Sequence, residues 1–476
     1  MPHPIVQEHA EIGLIGLGTM GRNLALNIAE NGYRIAVFNR TAQRTDQFVA
    51  KAGDLAERLV PSRTIEEFVA SIKPPRAIIL MVPAGEAVDA QIQVLRPLLD
   101  PEDLIIDAGN ANYHDTNRRA ATALSGGPHF MGIGVSGGEQ GARFGPSIMA
   151  GGDRSAFARV QPLLEAISAK FENVPCAAWL GEAGAGHLVK TVHNGIEYAD
   201  MQMIAEVYGI MRDGLKLDNS AVADVFDGWN QGVLQSYLIE ISAEVSRTRD
   251  PDTGRPMLDV ILDRAGQKGT GRWTAIEALM LGTPAGTIEA AVGARGMSAR
   301  LEERKAGEAV FGSAPRPIAQ GLLGPEVLEP ALLAGKILCY AQGFDLISAA
   351  ARQYGWAMPV PEIARVWRAG CIIRSALLND MASALEEQPG RNLILAPFFA
   401  DTLRRSEDGL RKTVAMATLH GLPVPALSAA LSYFDIMRTG RSTANIIQGQ
   451  RDFFGAHGFE RTDMPGDSFH GPWAIA

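Results

Sequence analysis

The most constraining feature of this sequence is a glycine-rich turn between a short apolar strand and an amphipathic helix. Residues 11–16 (EIGLIG) predict a buried strand, residues 18–32 predict a helix that ends at Gly32, and residues 33–38 (YRIAVF) predict a second strand. A strand, a helix and a strand in this order form a βαβ unit, in which the two strands are parallel. The chain therefore begins with an α/β fold.

The turn has the glycine spacing that is typical of dinucleotide binding. Its residues are Gly16, Leu17, Gly18, Thr19, Met20 and Gly21. Gly16 permits a tight turn, Gly18 lets the backbone approach a pyrophosphate, and Gly21 allows close packing of the helix. The helix N-terminus supplies N–H donors to the anion. A purely structural glycine turn is the alternative interpretation.

The end of the second strand indicates which dinucleotide is bound. An Asp or Glu usually holds the ribose 2′-hydroxyl at this place, but here the strand ends in Phe38-Asn39-Arg40-Thr41. Arg40 offers a planar cationic fork to a 2′-phosphate, and Asn39 and Thr41 offer neutral hydrogen bonds. These residues favour NADP over NAD. The alternative is that Arg40 is an ordinary surface residue.

Apolar strands and helices continue to alternate through the first part of the chain. Further strands are predicted at 77–82, 103–109 and 129–137, with helices near 41–52, 86–98 and 113–124. After Gly181 the composition changes, and helices are expected at 186–213, 217–228, 327–354 and 408–420. We expect a doubly wound α/β domain at 1–183, an all-helical domain at 184–440 and an extended C-terminal tail at 441–476.

Composition restricts the partners and the compartment. The chain has 44 Lys and Arg against 53 Asp and Glu, a formal charge of −9, and no basic run, so neither nucleic acid nor a membrane surface is an expected partner. Cys176, Cys339 and Cys371 are odd in number and far apart, which fits neither a disulfide framework nor a zinc site. The N-terminus has no secretory pattern and no stretch has the length of a membrane span. We expect a cytoplasmic protein without a metal.

The segment after Gly186 predicts a helix with an unusual polar face. Lys190, His193, Asn194, Glu197 and Tyr198 lie at offsets 0, 3, 4, 7 and 8, so their side chains share one face. Apolar residues occupy the other faces, so the polar face is expected to line a cleft. The alternative is a solvated surface face, although such faces rarely combine His, Asn and Tyr.

Lys190 and Glu197 are about 10 Å apart along this helix, so they can reach opposite ends of a small substrate. One can then serve as a base and the other as an acid. Lys190 can accept a proton near neutral pH only if desolvation or a nearby cation lowers its pKa.

Five motifs occur in the order found in one enzyme family. They are Asn39-Arg40-Thr41, VSGGEQGARFGP at 135–146, KTVHNGIEYADMQ at 190–202, GQKGTGRW at 266–273 and QRDFFGAH at 450–457. Over nearly its whole length the chain resembles the decarboxylating 6-phosphogluconate dehydrogenases of the oxidative pentose phosphate pathway. The resemblance implies a Rossmann-type domain, a large helical domain, and a homodimer in which each tail enters the other subunit.

The resemblance also implies roles for the polar helix. Lys190 would take the proton of the substrate 3-hydroxyl as hydride passes to NADP, and would return a proton to the 3-keto oxygen as carbon dioxide leaves. Glu197 would protonate C1 of the resulting enediol and give ribulose 5-phosphate. No metal is required if Lys190 stabilises the developing oxyanion.

The remaining site residues are implied by their positions in the family motifs. Those at the carboxylate end of 6-phosphogluconate would be Ser136, Gly137, Gly138, His193 and Asn194, with Asn110 between substrate and cofactor. Those around the 6-phosphate would be Tyr198, Lys268, Thr270, Arg295 and Arg451, with His457 on a sugar hydroxyl. In the family, the equivalents of Arg451 and His457 come from the neighbouring subunit.

The sequence departs from the common family pattern near the cofactor. Val82-Pro83-Ala84, which would contact NADP, stands where Val-Lys-Ala is common, and Gly18-Thr19 stands where Ala-Val is frequent. Arg272 stands where Lys is usual and Gly293 where an aromatic residue is usual. These differences bear on the preference for NADP over NAD and leave the implied acid, base and phosphate residues unchanged.

Two other functions are compatible with parts of the sequence. A shorter β-hydroxyacid dehydrogenase, of the 3-hydroxyisobutyrate or tartronate semialdehyde type, shares the glycine turn and the Gly186-x-x-x-Lys190-x-x-x-Asn194 arrangement but lacks the GQKGTG loop and the tail. A catalytically silent NADPH-binding protein is the other alternative. The presence of both Lys190 and Glu197 argues against it.

Overall fold

The computed structural model describes residues 9–267 and 269–473. Its N-terminal part contains strands β1 (Ile12–Ile15), β2 (Ile35–Phe38), β3 (Leu59–Pro61), β4 (Ala77–Leu80), β5 (Leu104–Asp107), β6 (His129–Val135), β7 (Ile148–Gly152), β8 (Lys170–Phe171), β9 (Val174–Pro175) and β10 (Ala177–Trp179). The helices of this part are α1 (Thr19–Glu30), α2 (Ala42–Ala50), α3 (Ile65–Ala70), α4 (Glu86–Leu95), α5 (Tyr113–Leu124), α6 (Gly138–Phe144) and α7 (Arg154–Ile167), with 3₁₀ turns at Gly53–Arg58 and Arg96–Leu98.

Eight strands form one sheet in the order β10-β7-β6-β5-β4-β1-β2-β3. All neighbouring pairs in this sheet are parallel except β6 and β7. Strand β1 pairs with β2 on one side and with β4 on the other, so the strand order reverses between β1 and β4. In open α/β sheets, ligands bind beyond the carboxyl ends of the strands at such a reversal, which is where the glycine turn lies.

Apolar clusters cover both faces of the sheet. Leu14 and Ile28 belong to the cluster on one face, and Ile15, Phe68 and Ile78 to that on the other. Parallel strands buried on both faces consist of continuous apolar runs, and this explains why the strands predicted at 77–82, 103–109 and 129–137 occur as β4, β5 and β6. Strands β7 and β10 were not predicted, because the sequence of β7, IMAGG, has little strand character and β10 has only three residues.

The second part of the chain is helical. Its helices are α8 (Ala185–Gly209), α9 (Asn219–Trp229), α10 (Tyr237–Arg247), α11 (Met257–Val260), α12 (Thr270–Met280), α13 (Gly286–Ser298), α14 (Leu301–Phe311), α15 (Pro325–Tyr354), α16 (Val360–Val366), α17 (Leu377–Glu387), α18 (Pro397–Leu419), α19 (Pro425–Met437) and α20 (Ala444–Gly455), with a π-helical turn at Ile210–Gly214 and a 3₁₀ turn at Leu393–Leu395. The predicted combination of a doubly wound sheet with a large helical unit is confirmed.

Helices α8 and α15 lie at the centre of the helical unit. Val192 and Ile196 of α8 share one apolar core with Leu338 and Phe344 of α15. Both helices are buried on most of their circumference, and a helix in that position needs apolar residues on every face that meets a neighbour. The polar side chains of α8 are therefore exceptions that require a local explanation.

The C-terminal segment differs from the extended tail that the sequence predicts, because it contains helix α20. The carboxylate of Asp452 is 1% exposed and accepts hydrogen bonds from Gly458 N, Gly471 N and Trp473 Nε1. A buried carboxylate requires hydrogen-bond donors, and these contacts hold the surrounding backbone in a folded conformation. The helix was not predicted, because this Gly- and Arg-rich segment shows no helical periodicity of apolar residues.

Within residues 9–267 and 269–473, none of the helices combines the length and the apolar character that crossing a membrane requires.

Candidate active site

The site forms where α8 crosses the end of β6. A Cβ atom added to Gly134 of β6 would lie 2.4 Å from Cβ of Lys190, and one added to Gly186 of α8 would lie 2.6 Å from the carbonyl oxygen of Gly132. Only glycine allows strand and helix to approach this closely. The approach places Lys190 beside Ser136, the residue that follows β6.

Polar side chains from α8 and from the loop after β6 form one hydrogen-bonded cluster. Lys190 Nζ donates to Ser136 Oγ at 3.1 Å and to Asn194 Oδ1 at 2.9 Å. Nε2 of His193 lies 3.2 Å from the same Ser136 Oγ, and its Nδ1 lies 3.2 Å from Asn194 Oδ1. The four side chains are at most 8% exposed, so the cluster lies out of bulk water.

Burial changes the charge states of this cluster. It lowers the pKa of Lys190 below the usual value for an amine, although the charge of Glu197 acts in the opposite direction. Burial and the neighbouring Lys190 lower the pKa of His193 well below its usual value. His193 is therefore a neutral imidazole at neutral pH, and its 3.7 Å approach to Glu197 is not an ion pair.

Glu197 lies two turns along α8 from Lys190, and its side chain is 21% exposed. Burial raises the pKa of this carboxyl group, while the charges of Lys190 and Arg295 act to lower it. The Lys190 and Glu197 pKa values are thus shifted toward each other. Shifts in these directions bring the amine closer to a base, and the carboxyl group closer to an acid, that can act near neutral pH.

A second group of predicted residues lies at the far end of the polar face. The Arg295 guanidinium of α13 stacks over the ring of Tyr198 at 3.6 Å from the ring centroid. Gly271 of α12 packs on the same ring, since a Cβ there would lie 2.5 Å from it. Thr270 is the first residue of α12, so the N-terminus of that helix faces the same region. A cation and a helix N-terminus are both suited to a phosphate.

Two residues that the resemblance implies for the substrate, Arg451 at the phosphate and His457 at a sugar hydroxyl, are not brought to the site by the described part of one chain. A third, Lys268, lies outside the described residues. Arg451 is exposed and donates to Gln448 Oε1 of its own helix at 3.1 Å. His457 is exposed and packs edge-on against Phe454. Within the described residues, neither Arg451 nor His457 hydrogen-bonds to the polar face of α8.

The glycine turn has the geometry of a phosphate loop. Gly16 has a φ of +105°, and a Cβ there would lie 2.3 Å from the carbonyl oxygen of Met81. A Cβ on Gly21 would lie 1.9 Å from the carbonyl oxygen of Gly16, whereas Gly18 has nothing within 4 Å. Gly16 and Gly21 are therefore required by packing. Gly18 leaves open space in front of the N-terminus of α1, where a pyrophosphate would lie.

The residues after β2 divide into two groups. Asn39 Oδ1 accepts a hydrogen bond from Leu17 N at 3.1 Å, so its amide holds the glycine turn in place. Arg40 and Thr41 are exposed, and Thr41 is the N-cap of α2. Between α1 and α2 a cavity of about 580 Å³ adjoins Gly18 and Thr19. The cavity is lined by three cations that sequence reasoning did not identify: Arg22, Arg44 and Lys51.

The predicted residues after β4 and β5 occupy neighbouring loops. A Cβ on Gly109 would lie 3.1 Å from the carbonyl oxygen of Val82, so the loop that carries Asn110 contacts the loop that carries Pro83 and Ala84. Gly109 N donates to Asp107 Oδ1 at 3.0 Å. Asn110 itself is exposed, as are Pro83 and Ala84. These loops share the carboxyl edge of the sheet with the glycine turn, as a cofactor site requires.

Comparison with known proteins identifies the family. The model of the NAD binding domain of 6-phosphogluconate dehydrogenase matches residues 11–181, and the model of the 6-phosphogluconate dehydrogenase C-terminal domain matches residues 186–473. The chain belongs to the 6-phosphogluconate dehydrogenase family. The resemblance found in the sequence motifs is therefore confirmed, and so is the assignment to an oxidoreductase family.

Individual members of the 6-phosphogluconate dehydrogenase family resemble this chain over almost its whole length. Two from Bacillus subtilis, an NAD(+)-dependent and an NADP(+)-dependent decarboxylating enzyme, are each 47% identical and cover 97% of this chain and 99% of their own. A solved structure of the Plasmodium falciparum enzyme, described in its apo form and in complexes with NADP+ and with 6-phosphogluconate, has a TM-score of 0.93 at 40% identity. It covers 97% of this chain and 100% of its own.

The fold adds residues that the sequence motifs of the 6-phosphogluconate dehydrogenase family did not suggest. Gly134 permits the approach of Lys190, and Trp367 packs edge-on against His193 with ring centroids 5.9 Å apart. Gly370 lies under the loop after β6, because a Cβ on Gly137 would lie 2.5 Å from its carbonyl oxygen. Trp367 and Gly370 lie far from α8 in the sequence, so no local pattern could identify them.

Proposed function

We propose that this chain oxidises and decarboxylates 6-phosphogluconate to ribulose 5-phosphate with NADP, and that Lys190 and Glu197 carry the proton transfers. The observation that supports these roles is the pair of opposite pKa shifts on one helix, lowered for the amine and raised for the carboxyl. Groups whose pKa values are moved in this way are candidates for acid and base catalysis.

Lys190 acts first as a base and then as an acid up to the release of carbon dioxide. Its neutral amine takes the proton of the 3-hydroxyl as hydride leaves C3, and the resulting ammonium stabilises negative charge on the 3-keto oxygen while the C1 to C2 bond breaks. The electron pair of that bond becomes the enediol double bond, and the ammonium returns its proton to oxygen. Ser136 Oγ and Asn194 Oδ1 hold the Lys190 side chain in one orientation.

Glu197 completes the reaction by protonating the carbon that lost carbon dioxide, while the amine of Lys190 accepts the proton of the enediol hydroxyl and the keto group of ribulose 5-phosphate forms. Because burial raises the pKa of Glu197, a larger fraction of this carboxyl group is protonated at a given pH than of an exposed glutamate. Neutral His193 lies between Lys190 and Glu197 on α8 and binds the carboxylate end of the substrate together with Ser136, Gly137, Gly138 and Asn194. An uncharged imidazole donates a hydrogen bond without holding the carboxylate so strongly that decarboxylation is opposed.

NADP fits the residues around the glycine turn, and it supplies the hydride acceptor when bound. The N-terminus of α1 and open Gly18 suit its pyrophosphate, and Arg40 with Thr41 suits its 2′-phosphate. Overall identity does not separate NADP from NAD, since the two Bacillus subtilis relatives are equally similar. We expect Arg40→Asp to raise KM for NADP about tenfold or more and to leave KM for NAD within twofold. An unchanged KM for NADP would contradict this role.

The active form is a homodimer of a cytoplasmic enzyme, in which the tail of each chain completes the other chain's phosphate site. Support comes from α20, whose Ile446, Ile447, Phe453 and Phe454 are each more than half exposed in the single chain. Apolar side chains in this number on one short helix indicate a surface that a partner covers. Arg451 lies on the same helix and has no anion among its hydrogen-bond partners in the described residues.

Substrate and reaction are tested by adding 6-phosphogluconate and NADP to the purified protein. The expected result is NADPH absorbance with an equimolar release of carbon dioxide. NADPH without carbon dioxide would indicate a β-hydroxyacid dehydrogenase of the shorter type instead. No NADPH, with NADPH binding retained, would indicate a silent binding protein.

Sharing of the site between subunits is tested by mixing variants. Arg451→Ala and Lys190→Met homodimers are each expected to be nearly inactive. A heterodimer of the two has one site with both defects and one site with neither. It should therefore have about half of the activity of an unmodified dimer. Purified heterodimers without activity would exclude a contribution of the tail to the other subunit.

A further inference from the structure

A buried carboxylate outside the catalytic cluster links the cofactor side of the molecule to the phosphate side. Glu277 of α12 is 5% exposed. One of its oxygens accepts a hydrogen bond from the Tyr113 hydroxyl, and the other lies 3.1 Å from His114 Nε2. Both partners are at the start of α5, in the α/β part of the chain, whereas α12 belongs to the helical part.

The contact between Glu277 and Tyr113 is enclosed. Tyr113 is 3% exposed, and burial together with the Glu277 carboxylate raises the pKa of its phenol far above the usual value. The phenol therefore stays protonated and acts as a donor to the carboxylate. Tyr354 closes the other side, with its hydroxyl 3.0 Å from that of Tyr113. Removing Glu277 or Tyr113 breaks the buried contact between a charged acceptor and its donor, which is costly.

Helix α12 is fixed at its other end to the catalytic helix. Thr274 Oγ1 donates to the carbonyl oxygen of Thr191, and a Cβ on Gly195 would lie 2.6 Å from Thr274. Gly271 packs on Tyr198, and Thr270 begins the helix at the proposed phosphate site. Helix α12 therefore spans the distance from the phosphate end of the site to Glu277 with contacts along its length.

Tyr113 also lies close in the chain to a residue proposed for the cofactor side, Asn110. It follows Asn110 by three residues and is the first residue of α5, whose N-cap Asn112 accepts from His114 N at 2.9 Å. On the other side of Asn110, Gly109 N is held by Asp107 at the end of β5. The loop that carries Asn110 thus runs between β5 and the end of α5 that Glu277 binds.

We propose that Glu277 is a positioning residue, which through Tyr113 fixes the Asn110 loop relative to α12 and so aligns the substrate carbon with the cofactor. The inference rests on the proposed function for its catalytic consequence. Its structural consequence, the ordering of the Asn110 loop by Glu277, is measurable without turnover. Small misplacements of reacting groups lower the rate strongly even when binding is retained.

The test compares Glu277→Gln and Tyr113→Phe with Tyr354→Phe in the full-length protein. Tyr354→Phe is the matched control, because it removes a hydroxyl from the same cluster and leaves the contact between Glu277 and Tyr113. Glu277→Gln and Tyr113→Phe are expected to lower kcat about tenfold and to leave KM for 6-phosphogluconate and for NADP within twofold. The deuterium isotope effect on kcat with 3-deuterated substrate should rise in both, and the control should match the unmodified protein.

Hydrogen exchange of the peptide that spans residues 108–116 provides the readout that does not depend on activity. Its amides should exchange about tenfold faster in Glu277→Gln and Tyr113→Phe and at the original rate in Tyr354→Phe. Unchanged exchange at 108–116 would overturn the inference whatever the activity. So would an unchanged kcat and isotope effect in an active protein, since a lower melting temperature alone would mean that Glu277 serves packing only. If the unmodified protein forms no NADPH from 6-phosphogluconate and NADP, that result would instead contradict the proposed function.

If Glu277→Gln does not fold, His114→Ala replaces it, because His114 is half-exposed and its removal leaves the contact between Tyr113 and Glu277. His114→Ala should give a smaller change of the same kind in kcat and exchange. Tyr113→Phe then decides the matter, and original kcat and exchange in that variant would overturn the inference.

Discussion

The two ends of the proposed active site are built differently. The proton-transfer end, formed by Ser136, Lys190, His193 and Asn194, is buried, and one chain supplies all of its hydrogen bonds. The phosphate end contains half-buried Arg295 and the N-terminus of α12. The family resemblance assigns to this end Arg451 of another subunit.

The difference follows from what each end must do. Proton transfer needs shifted pKa values, and such shifts require that a preformed protein environment desolvates the titrating side chains. A phosphate needs cations, which bind it adequately at a partly open surface and can come from long side chains on separate segments. A preformed acid and base with an anion site that a second subunit completes is therefore what the proposed homodimer predicts.

The strongest test of the buried end is Lys190→Met, which keeps the length of the side chain and removes the amine. Turnover should fall at least ~10³-fold, because the proposed base is removed. NADPH binding measured by fluorescence and the melting temperature should stay near those of the unmodified protein. Lys305→Met on the exposed surface of α14 is the control and should be fully active. Residual turnover above one tenth would contradict the role of Lys190.

Glu197→Gln tests the acid at the same end and should lower kcat about 10²-fold. The lowered pKa of Lys190 means that its free amine is lost as the pH falls, and the raised pKa of Glu197 means that its acid form is lost as the pH rises. The profile of kcat/KM against pH should therefore be bell-shaped. Glu197→Gln should abolish the alkaline limb and keep the acidic one. An alkaline limb of unchanged midpoint would assign it to another group.

Arg295→Ala tests the phosphate end. Loss of a charge-assisted contact should raise KM for 6-phosphogluconate about 10- to 100-fold and change kcat by less than threefold, because the guanidinium is remote from the reacting carbons. Arg300→Ala, on an exposed residue shortly after α13, is the control. Equal KM values for 6-phosphogluconate in the unmodified protein and Arg295→Ala would show that Arg295 does not bind the phosphate.

A pair of glycine substitutions compares the two ends directly. Gly134→Ala places a methyl group 2.4 Å from Lys190 Cβ, whereas Gly293 near Arg295 has nothing within 4 Å. Gly134→Ala should lower the free energy of unfolding by about 1–3 kcal/mol and kcat about tenfold through displacement of Lys190. Gly293→Ala in helix α13 should be neutral or stabilising by up to ~1 kcal/mol. Denaturant unfolding measures the free energy of unfolding, and steady-state kinetics measure kcat. Similar effects of the two substitutions would contradict the difference in packing between the two ends.

The sequence was most informative where function depends on local spacing. The glycine turn after β1 and the offsets from Lys190 to Tyr198 identify a loop and a helix face without knowledge of the fold. Apolar runs identified β4, β5 and β6 for the same reason. The sequence failed at β7 and α20, where neighbours rather than local pattern determine the structure. Asp452, for example, organises the tail through donors up to 21 residues away.

By itself, the sequence determined the fold class, the glycine turn, the polar face of α8 and the family, because each is recorded in residues close together in the chain or in motifs that keep their order. Only the tertiary structure decided that Gly134 brings Lys190 to Ser136, that burial moves the pKa values of Lys190 and Glu197 in opposite directions, and that Glu277 meets Tyr113. Desolvation and close approach depend on atoms distant in sequence, and no pattern along the chain contains them.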